Sequence, residues 1–277
     1  MSSTVCMPEP AMIICSIALK TSLMIQRLDG VVDDKGDYAV LRTPTVPDFW
    51  YGNCLVLPRP PAAGDYERWM ALFAAELPGP THRVFLVDAP DGDCGQAADF
   101  LANGFEINRY DVLATDTLVR PERLNGGFVY RPLSGDRDWQ AVLAASQSVN
   151  AGLPGYANGF LERRFASIRR SVEAGRGAWW AAIAGDLVVA HMGLFWEAGL
   201  VRFQDVETLP DYRRQGICRS LLYAACAATN QRLGAVRYVI VPADDTVRRI
   251  YESVGFSLAE QTVDFCRPPN PALSNPG

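Results

Sequence analysis

One stretch constrains this 277-residue chain more than any other: Val206-Glu207-Thr208-Leu209-Pro210-Asp211-Tyr212-Arg213-Arg214-Gln215-Gly216-Ile217-Cys218-Arg219. It reads as a strand that ends at Pro210, a tight basic turn, and a long helix starting near Gly216. Ile217, Leu221, Leu222, Ala225 and Ala228 recur at helical spacing behind the turn. A helix N-terminus offers unpaired backbone N–H groups and the positive end of a dipole, so it attracts phosphate. Gly216 keeps side-chain atoms away from a diphosphate approaching the backbone. Arg213, Arg214 and Arg219 add positive charge around the same point. Taken alone, this is an anion-binding turn whose ligand is open.

A second segment follows that helix. Arg237-Tyr238-Val239-Ile240-Val241 is a short β-branched strand, succeeded by Pro242-Ala243-Asp244-Asp245, a short helix over 246–254, and a closing Gly255-Phe256. Each segment has a plain structural reading, as an α/β turn and a C-cap glycine. Together, in this order and with a strand between them, they resemble the GNAT family of acyl-CoA-dependent N-acyltransferases. The family's cofactor signature, Arg/Gln-x-x-Gly-x-Gly/Ala, is matched by Arg213-Arg214-Gln215-Gly216-Ile217-Cys218. Its later signature, Asn-x-x-Ala-x-x-Leu-Tyr-x-x-x-Gly-Phe, is matched from Asp244 to Phe256. Four positions depart. Cys218 replaces the small Gly/Ala, Val247 replaces Ala, Ile250 replaces Leu, and Asp244 replaces Asn and so lacks its amide donor.

The resemblance implies an α/β (α+β) fold, a mixed and mostly antiparallel twisted sheet flanked by helices, complete in the C-terminal lobe. It implies acyl transfer, most simply of acetyl from acetyl-CoA (or another acyl-CoA) to a primary amine, by direct attack in a ternary complex and with no metal. The cofactor would then rest on Thr208, Leu209, Arg213, Arg214, Gln215, Gly216, Ile217, Cys218, Arg219 and Asp244. The main-chain N–H near Leu209 would hold the thioester carbonyl. Tyr251 corresponds to the family's tyrosine that protonates the leaving thiolate; without the resemblance it reads as a half-buried helix aromatic.

The base is read from the strand over 200–209. Glu207 and Asp205 alternate along it, so both point to one face if the strand is regular, and a bulge would change which face is which. Glu207 is the expected base, with Asp205 behind it; a charge pair with Arg202, or a solvated edge, is the bland account of both. His191, in mid-strand, reads as a satisfied core histidine.

Composition narrows the class. The chain is 49% hydrophobic and 21% charged with a formal charge of −5, as suits a soluble globular protein of one large or two smaller domains. The acidic balance and the absence of a Lys/Arg run argue against a nucleic-acid partner. Cys6, Cys15, Cys54, Cys94, Cys218, Cys226 and Cys266 are scattered and odd in number, which points to reduced thiols and a cytoplasmic location. His82 and His191 are too far apart in sequence to suggest a zinc site. The apolar run Ala11–Leu19 is too short to span a bilayer. Residues 1–10 carry only Glu9 as a charge, so they lack the basic start of a signal peptide. Residues 1–23 are therefore expected to be a poorly ordered extension of little function, ahead of a possible start at Met24.

The remainder divides into lobes at 24–118 and 127–268, with a tail over 269–277. In the first, strands are expected over 38–42, 54–57 and 83–87, with a helix over 66–77. In the second, a strand at 128–131 is followed by helices over 136–149 and 159–174 and strands over 177–183, 187–196 and 200–209. The segment 98–107 echoes 249–258: Phe100 precedes Gly104-Phe105 as Tyr251 precedes Gly255-Phe256. The first lobe is thus expected to be a degenerate GNAT-like half, without a phosphate turn or the tyrosine hydroxyl, that shapes an acceptor cleft. Chance similarity of two helix–Gly-Phe–strand segments is the alternative. The loop over 150–158 is expected to cover the acceptor. Two functions remain open: an acyltransferase acting on a small-molecule or peptide amine, as monomer or homodimer, and a non-catalytic acyl-CoA-binding module.

Overall fold

The computed structural model describes residues 11–153, 156 and 159–269. The first ten residues of the expected extension, Cys6 among them, lie outside the described residues, as do the tail from 270 and residues 154, 155, 157 and 158 of the expected acceptor loop.

The N-terminal half runs α1 (Ile17–Asp29), β1 (Val31–Asp34), β2 (Ala39–Arg42), β3 (Leu55–Leu57), α2 (Asp65–Glu76), β4 (Arg83–Val87), α3 (Ala98–Ala102) and β5 (Glu106–Thr115). The C-terminal half runs β6 (Val129–Pro132), α4 (Gly135–Val149), α5 (Phe160–Glu173), β7 (Gly177–Ala184), β8 (Leu187–Glu197), β9 (Leu200–Thr208), α6 (Ile217–Leu233), β10 (Arg237–Ile240), α7 (Asp245–Glu252) and β11 (Ser257–Arg267). All strands join one sheet in the order β1-β2-β3-β4-β11-β5-β10-β9-β8-β7-β6. Every neighbouring pair is antiparallel except β3/β4 and β9/β10. The expected mixed, mostly antiparallel sheet flanked by helices is the fold observed.

The chain crosses between halves at the centre of that sheet. β11, last in sequence, lies between β4 and β5, and β5 in turn pairs with β10. Val263 and Phe265 of β11 fill the N-terminal core with Phe85, Phe100 and Phe105, while Leu113 of β5 joins the C-terminal core under α6. Each half therefore completes the other's core, and the boundary expected between 118 and 127 divides the chain without dividing the sheet. The internal echo has a physical counterpart. Phe105 N–H donates to the Phe100 carbonyl at 3.1 Å, and Phe256 N–H donates to the Tyr251 carbonyl at 3.2 Å. Both closures turn through glycines with positive φ, Gly104 at 79° and Gly255 at 102°.

The main departure from expectation is α1. Residues 11–23 are not a loose extension, and the boundary at 23/24 falls inside a helix. Its Ala18, Leu19, Leu23 and Met24 are buried. Leu19 and Leu23 pack on β2, β3 and β4, whereas Met24 packs with Trp139, Phe165 and Trp179 of the other half. Its first turn is held by two carboxylates. Glu260 accepts from Ser16 Oγ at 2.6 Å, Ala18 N–H at 2.7 Å and Ile17 N–H at 3.0 Å. Asp88 accepts from Cys15 N–H at 2.7 Å and Ser16 N–H at 2.8 Å. Negative charge on the orphan donors of a helix start is stabilising. Because Asp88 and Glu260 are remote in sequence, that part of the signal is invisible along the chain. The spacing of Leu19 and Leu23 was the local cue.

Deleting residues 1–23 removes two buried leucines at about 1.5–3 kcal/mol each, so a chain beginning at Met24 is expected to melt roughly 10 °C lower than the full chain in calorimetry.

Candidate active site

The turn expected to bind an anion is built as the sequence suggests. Arg214 and Gly216 adopt positive φ, 62° and 74°, and Gly216 is the N-cap of α6 without any side-chain cap. The first helical bond is Ser220 N–H to the Gly216 carbonyl at 3.1 Å, so the N–H groups of Ile217, Cys218 and Arg219 have no partner within the helix. A Cβ on Gly216 would meet no protein atom closer than Arg219 Nη2 at 3.8 Å, so the space in front of the glycine is open.

That space is a cleft of about 730 Å³ between the ends of β9, α6 and α7. It is lined by Thr208, Arg213, Arg214, Gly216, Ile217, Cys218, Arg219 and Asp244, and also by Arg249, which the sequence reading did not single out. Four arginines thus surround uncapped backbone donors, a charge pattern suited to a polyphosphate. The cleft exists because two strands part. β9 and β10 are paired only from Leu200/Arg237 to Arg202/Val239, and beyond that β9 continues to Thr208 paired with β8 but not with β10.

Three expected residues are placed differently. Gln215 does not line the cleft: its side chain donates to the Asp211 carbonyl at 3.1 Å, and its carbonyl accepts from Asn125 Nδ2 at 2.8 Å. Leu209 N–H already donates to the Val189 carbonyl at 2.9 Å and cannot hold a thioester carbonyl. Alternation along an antiparallel ladder then turns the Thr208 N–H, opposite Ala190, toward the open side. Tyr251 is only 2% exposed and stands behind the cleft wall. Burial, with the Cys218 thiol and the Asp244 carboxylate nearby, holds its hydroxyl well above the usual tyrosine range. Burial also pushes Cys218 up to about 12, so this residue is a neutral part of the wall. Asp244 has a structural task, since its Oδ1 accepts from Val247 N–H at 2.9 Å as the N-cap of α7. Asp and Asn serve equally well there.

A second cavity of about 310 Å³ lies on the other side of β9, where α1 and the Phe49–Tyr51 segment of the N-terminal half face α4 and α5. It is lined by Arg202, Gln204, Asp205 and Glu207 together. A regular strand would send 202 and 204 to one face and 205 and 207 to the other. A bulge resolves this: the register with β8 shifts between His191/Glu207 and Gly193/Gln204, and Asp205 takes φ 46°. Of the expected loop, Tyr156 lines the same cavity, its ring 5.7 Å from that of Phe160. Asp205 pairs with Arg164 at 3.4 Å, which also donates to Gln204 at 3.2 Å. The pair with Arg202 does not form.

Glu207 is the one acidic side chain that lines both cavities. Its Oε1 accepts from Asn150 Nδ2 at 2.9 Å, and Nε2 of His191 lies 3.1 Å from its Oε2. His191 is 1% exposed, so it buttresses Glu207 from behind and is more than a core filler. Burial raises the Glu207 pKa, but contacts with His191, Asn150 and Ser146 outweigh it and hold the carboxyl below its ordinary value.

The N-terminal half carries a turn of the same spacing before a helix. Leu57-Pro58 precedes Gly64 as Leu209-Pro210 precedes Gly216, and Gly64 caps α2 with φ 82°. This spacing was legible in the sequence and was not used. Here β3 stays paired with β4 up to Leu57/Val87, directly before the turn, so no gap opens. Asp65 follows the glycine, and its carboxylate accepts from Ala62 N–H at 2.8 Å and pairs with Arg59 at 3.1 Å.

Comparison with known proteins agrees with this geometry. Residues 175–258, spanning β7 to the start of β11, match the family model for the acetyltransferase (GNAT) domain. A GCN5-related N-acetyltransferase from Kribbella flavida shares the fold with a TM-score of 0.63 at 17% identity, covering 94% of this chain and 98% of its own. A functionally unknown conserved protein from Staphylococcus epidermidis aligns with a TM-score of 0.67 at 13% identity, covering 88% and 96%. A GCN5-related N-acetyltransferase from Sphaerobacter thermophilus gives 0.57 at 17% identity, covering 84% and 76%. No curated protein matches the chain. At these identities the solved structures show a common fold.

Because its folded pKa is depressed below 4.5, Glu207 contributes stability that is present above that value and lost as pH falls through the folded pKa. The stability difference between wild type and Glu207→Gln, from denaturant melts, is therefore expected to shrink steadily from about pH 6 to about pH 3.

Proposed function

We propose that this protein is an acyl-CoA-dependent N-acyltransferase, moving an acyl group, most simply acetyl from acetyl-CoA, to a primary amine of a small molecule or peptide. The observation that carries this reading is the position of Glu207, whose carboxylate borders the arginine-lined cleft on one side of β9 and the inter-lobe cavity on the other. The first suits the cofactor and the second the acceptor, and a carboxylate at their junction is where an attacking amine must lose a proton.

Each residue then has a defined task. The Ile217, Cys218 and Arg219 N–H groups, with Arg213, Arg214, Arg219 and Arg249, hold the diphosphate. Thr208 N–H donates to the thioester oxygen as negative charge develops on it. The amine nitrogen forms its bond to the acyl carbon while Glu207 takes its proton, with His191 and Asn150 fixing the carboxylate in place. The carbon–sulfur bond breaks, and Tyr251 is assigned the proton that the thiolate takes; its burial behind the cleft wall makes the phenol a weaker acid, so this transfer needs that wall to open. The N-terminal half acts as a degenerate copy whose closed turn binds no cofactor and whose α1 and Phe49–Tyr51 wall the acceptor cavity. The six described cysteines are all free, which suits a reducing compartment such as the cytoplasm.

Acetyl-CoA at a hundredfold excess over its Kd is expected to stabilise the wild type by about 2.7 kcal/mol in thermal melts, and Gly216→Trp to abolish the shift. With a reactive amine, Glu207→Gln is expected to lower kcat by roughly 10²–10⁴ while retaining the acetyl-CoA shift, and Tyr251→Phe to lower it as well. A retained shift with no turnover across a broad amine panel would instead identify a binding module.

A further inference from the structure

Arg202 is the charged residue that the proposed chemistry leaves unused. It sits on β9 facing the inter-lobe cavity, and its side chain also borders an adjoining cavity of about 300 Å³ that runs on toward Tyr110 and Asp264. Ser22, Tyr51 and Leu86 line both spaces beside it. Among the described residues no carboxylate lies within ion-pair distance of its guanidinium. The one hydrogen bond it makes there runs from Nη1 to Thr21 Oγ1 at 3.2 Å, and its Nε is buried with no acceptor. Glu260, whose charge favours the Arg202 cation, is already committed to the first turn of α1. Burial lowers the Arg202 pKa only to about 10, so it remains a cation. An almost unpartnered guanidinium in a cleft is costly to keep, and its planar fork of donors matches a carboxylate.

The two ends of the cavity thus differ in sign. Asp205 is matched by Arg164, which leaves Glu207 at one end and Arg202 at the other. The two residues are five positions apart on β9 with one bulge between them, so their backbones lie roughly 13–16 Å apart at about 3.3 Å per residue. The amino and carboxyl groups of one α-amino acid share a carbon, whereas an amine and a carboxylate set several bonds apart span that separation with less reach from the two side chains.

We propose that the acceptor is an amine that carries its own carboxylate several bonds away, with Arg202 anchoring the carboxylate while the amine lies at Glu207. This deepens the acyltransferase reading and rests on it for the placement of the amine. Two sources of such a molecule share the chemistry: an amino acid acylated on its side-chain amine, and a short peptide acylated at its N-terminus.

The test is calorimetric binding to the full chain saturated with coenzyme A, using pairs that differ only in the anion. The pairs are 6-aminohexanoate against hexylamine, lysine against 1,5-diaminopentane, and triglycine against triglycinamide. At least one carboxylated member is expected to bind tenfold or more tightly than its mate, the first two pairs pointing to a side-chain amine and the third to a peptide. In Arg202→Met that ratio is expected to collapse toward one, and in Arg202→Lys to recover in part. The acetyl-CoA melting shift checks that each variant folds. A purely structural Arg202 would lower the melting temperature of the variants without changing the ratio, and would overturn the proposal. So would a wild type in which no carboxylated member is preferred. Preference that depends on Arg202 in a protein without turnover would retain the anchor and sink the transferase; turnover on plain and carboxylated amines alike would do the reverse.

Discussion

The parting of β9 from β10, followed by the bulge at Asp205, is the constraint on which the candidate site depends. While the two strands are paired, the sheet is closed and its backbone groups are consumed by the ladder. Once they separate beyond Arg202/Val239, β9 has an unpaired side, and a cleft opens that reaches from Thr208 to the start of α6. The bulge then decides what the other face offers. By inserting one residue, it turns Asp205 and Glu207 to the same side as Arg202 and Gln204, concentrating charged and polar side chains on a cavity wall where a regular strand would have continued with Val206. The cost is a non-glycine residue held at positive φ.

The two halves show the same scaffold with this device switched on and off. Both have a Leu-Pro turn leading to a left-handed glycine at a helix start, and both end in a helix closed by Gly-Phe. What separates them is hydrogen bonding and charge. In the N-terminal half the parallel strands remain paired to the edge of the turn, and an aspartate satisfies local backbone donors. In the C-terminal half the strands part and arginines surround the bare donors. The two glycine-started helices therefore differ in the pairing of the neighbouring strand and in the charge around the turn.

Legibility in the sequence followed the range of the interactions involved. The turn, α6 and the Gly-Phe closures were readable because their signals lie within a few residues: a glycine, flanking arginines and helical apolar spacing. The shared face of Asp205 and Glu207 follows from alternation, but the bulge that adds Arg202 and Gln204 to that face is invisible along the chain. Thr208 in place of Leu209 as the open donor follows from ladder phase, which needs a partner strand to define it. The cap made by Asp244 was locally legible, because an aspartate before a short helix has that task by default. The order of α1 was legible only in its leucine spacing, because the charges that hold its first turn come from Asp88 and Glu260.

The exchange of β5 and β11 explains why the inter-lobe cavity can draw on both halves. A second domain joined by a linker could drift by several ångströms, which an acyl transfer requiring close approach of two reacting atoms would not tolerate. Here the halves share an unbroken ladder, and each core contains a strand from the other. α1 adds a third tie on the face that carries the cavity, placing Leu19 and Leu23 in one core, Met24 in the other, and Ala18 against Val112 and Val239 at the seam. Separating the halves would bare β10 and β4 as sheet edges and expose apolar side chains along both. The N-terminal half holds α1 and Tyr51 in place, and these close the cavity opposite β9.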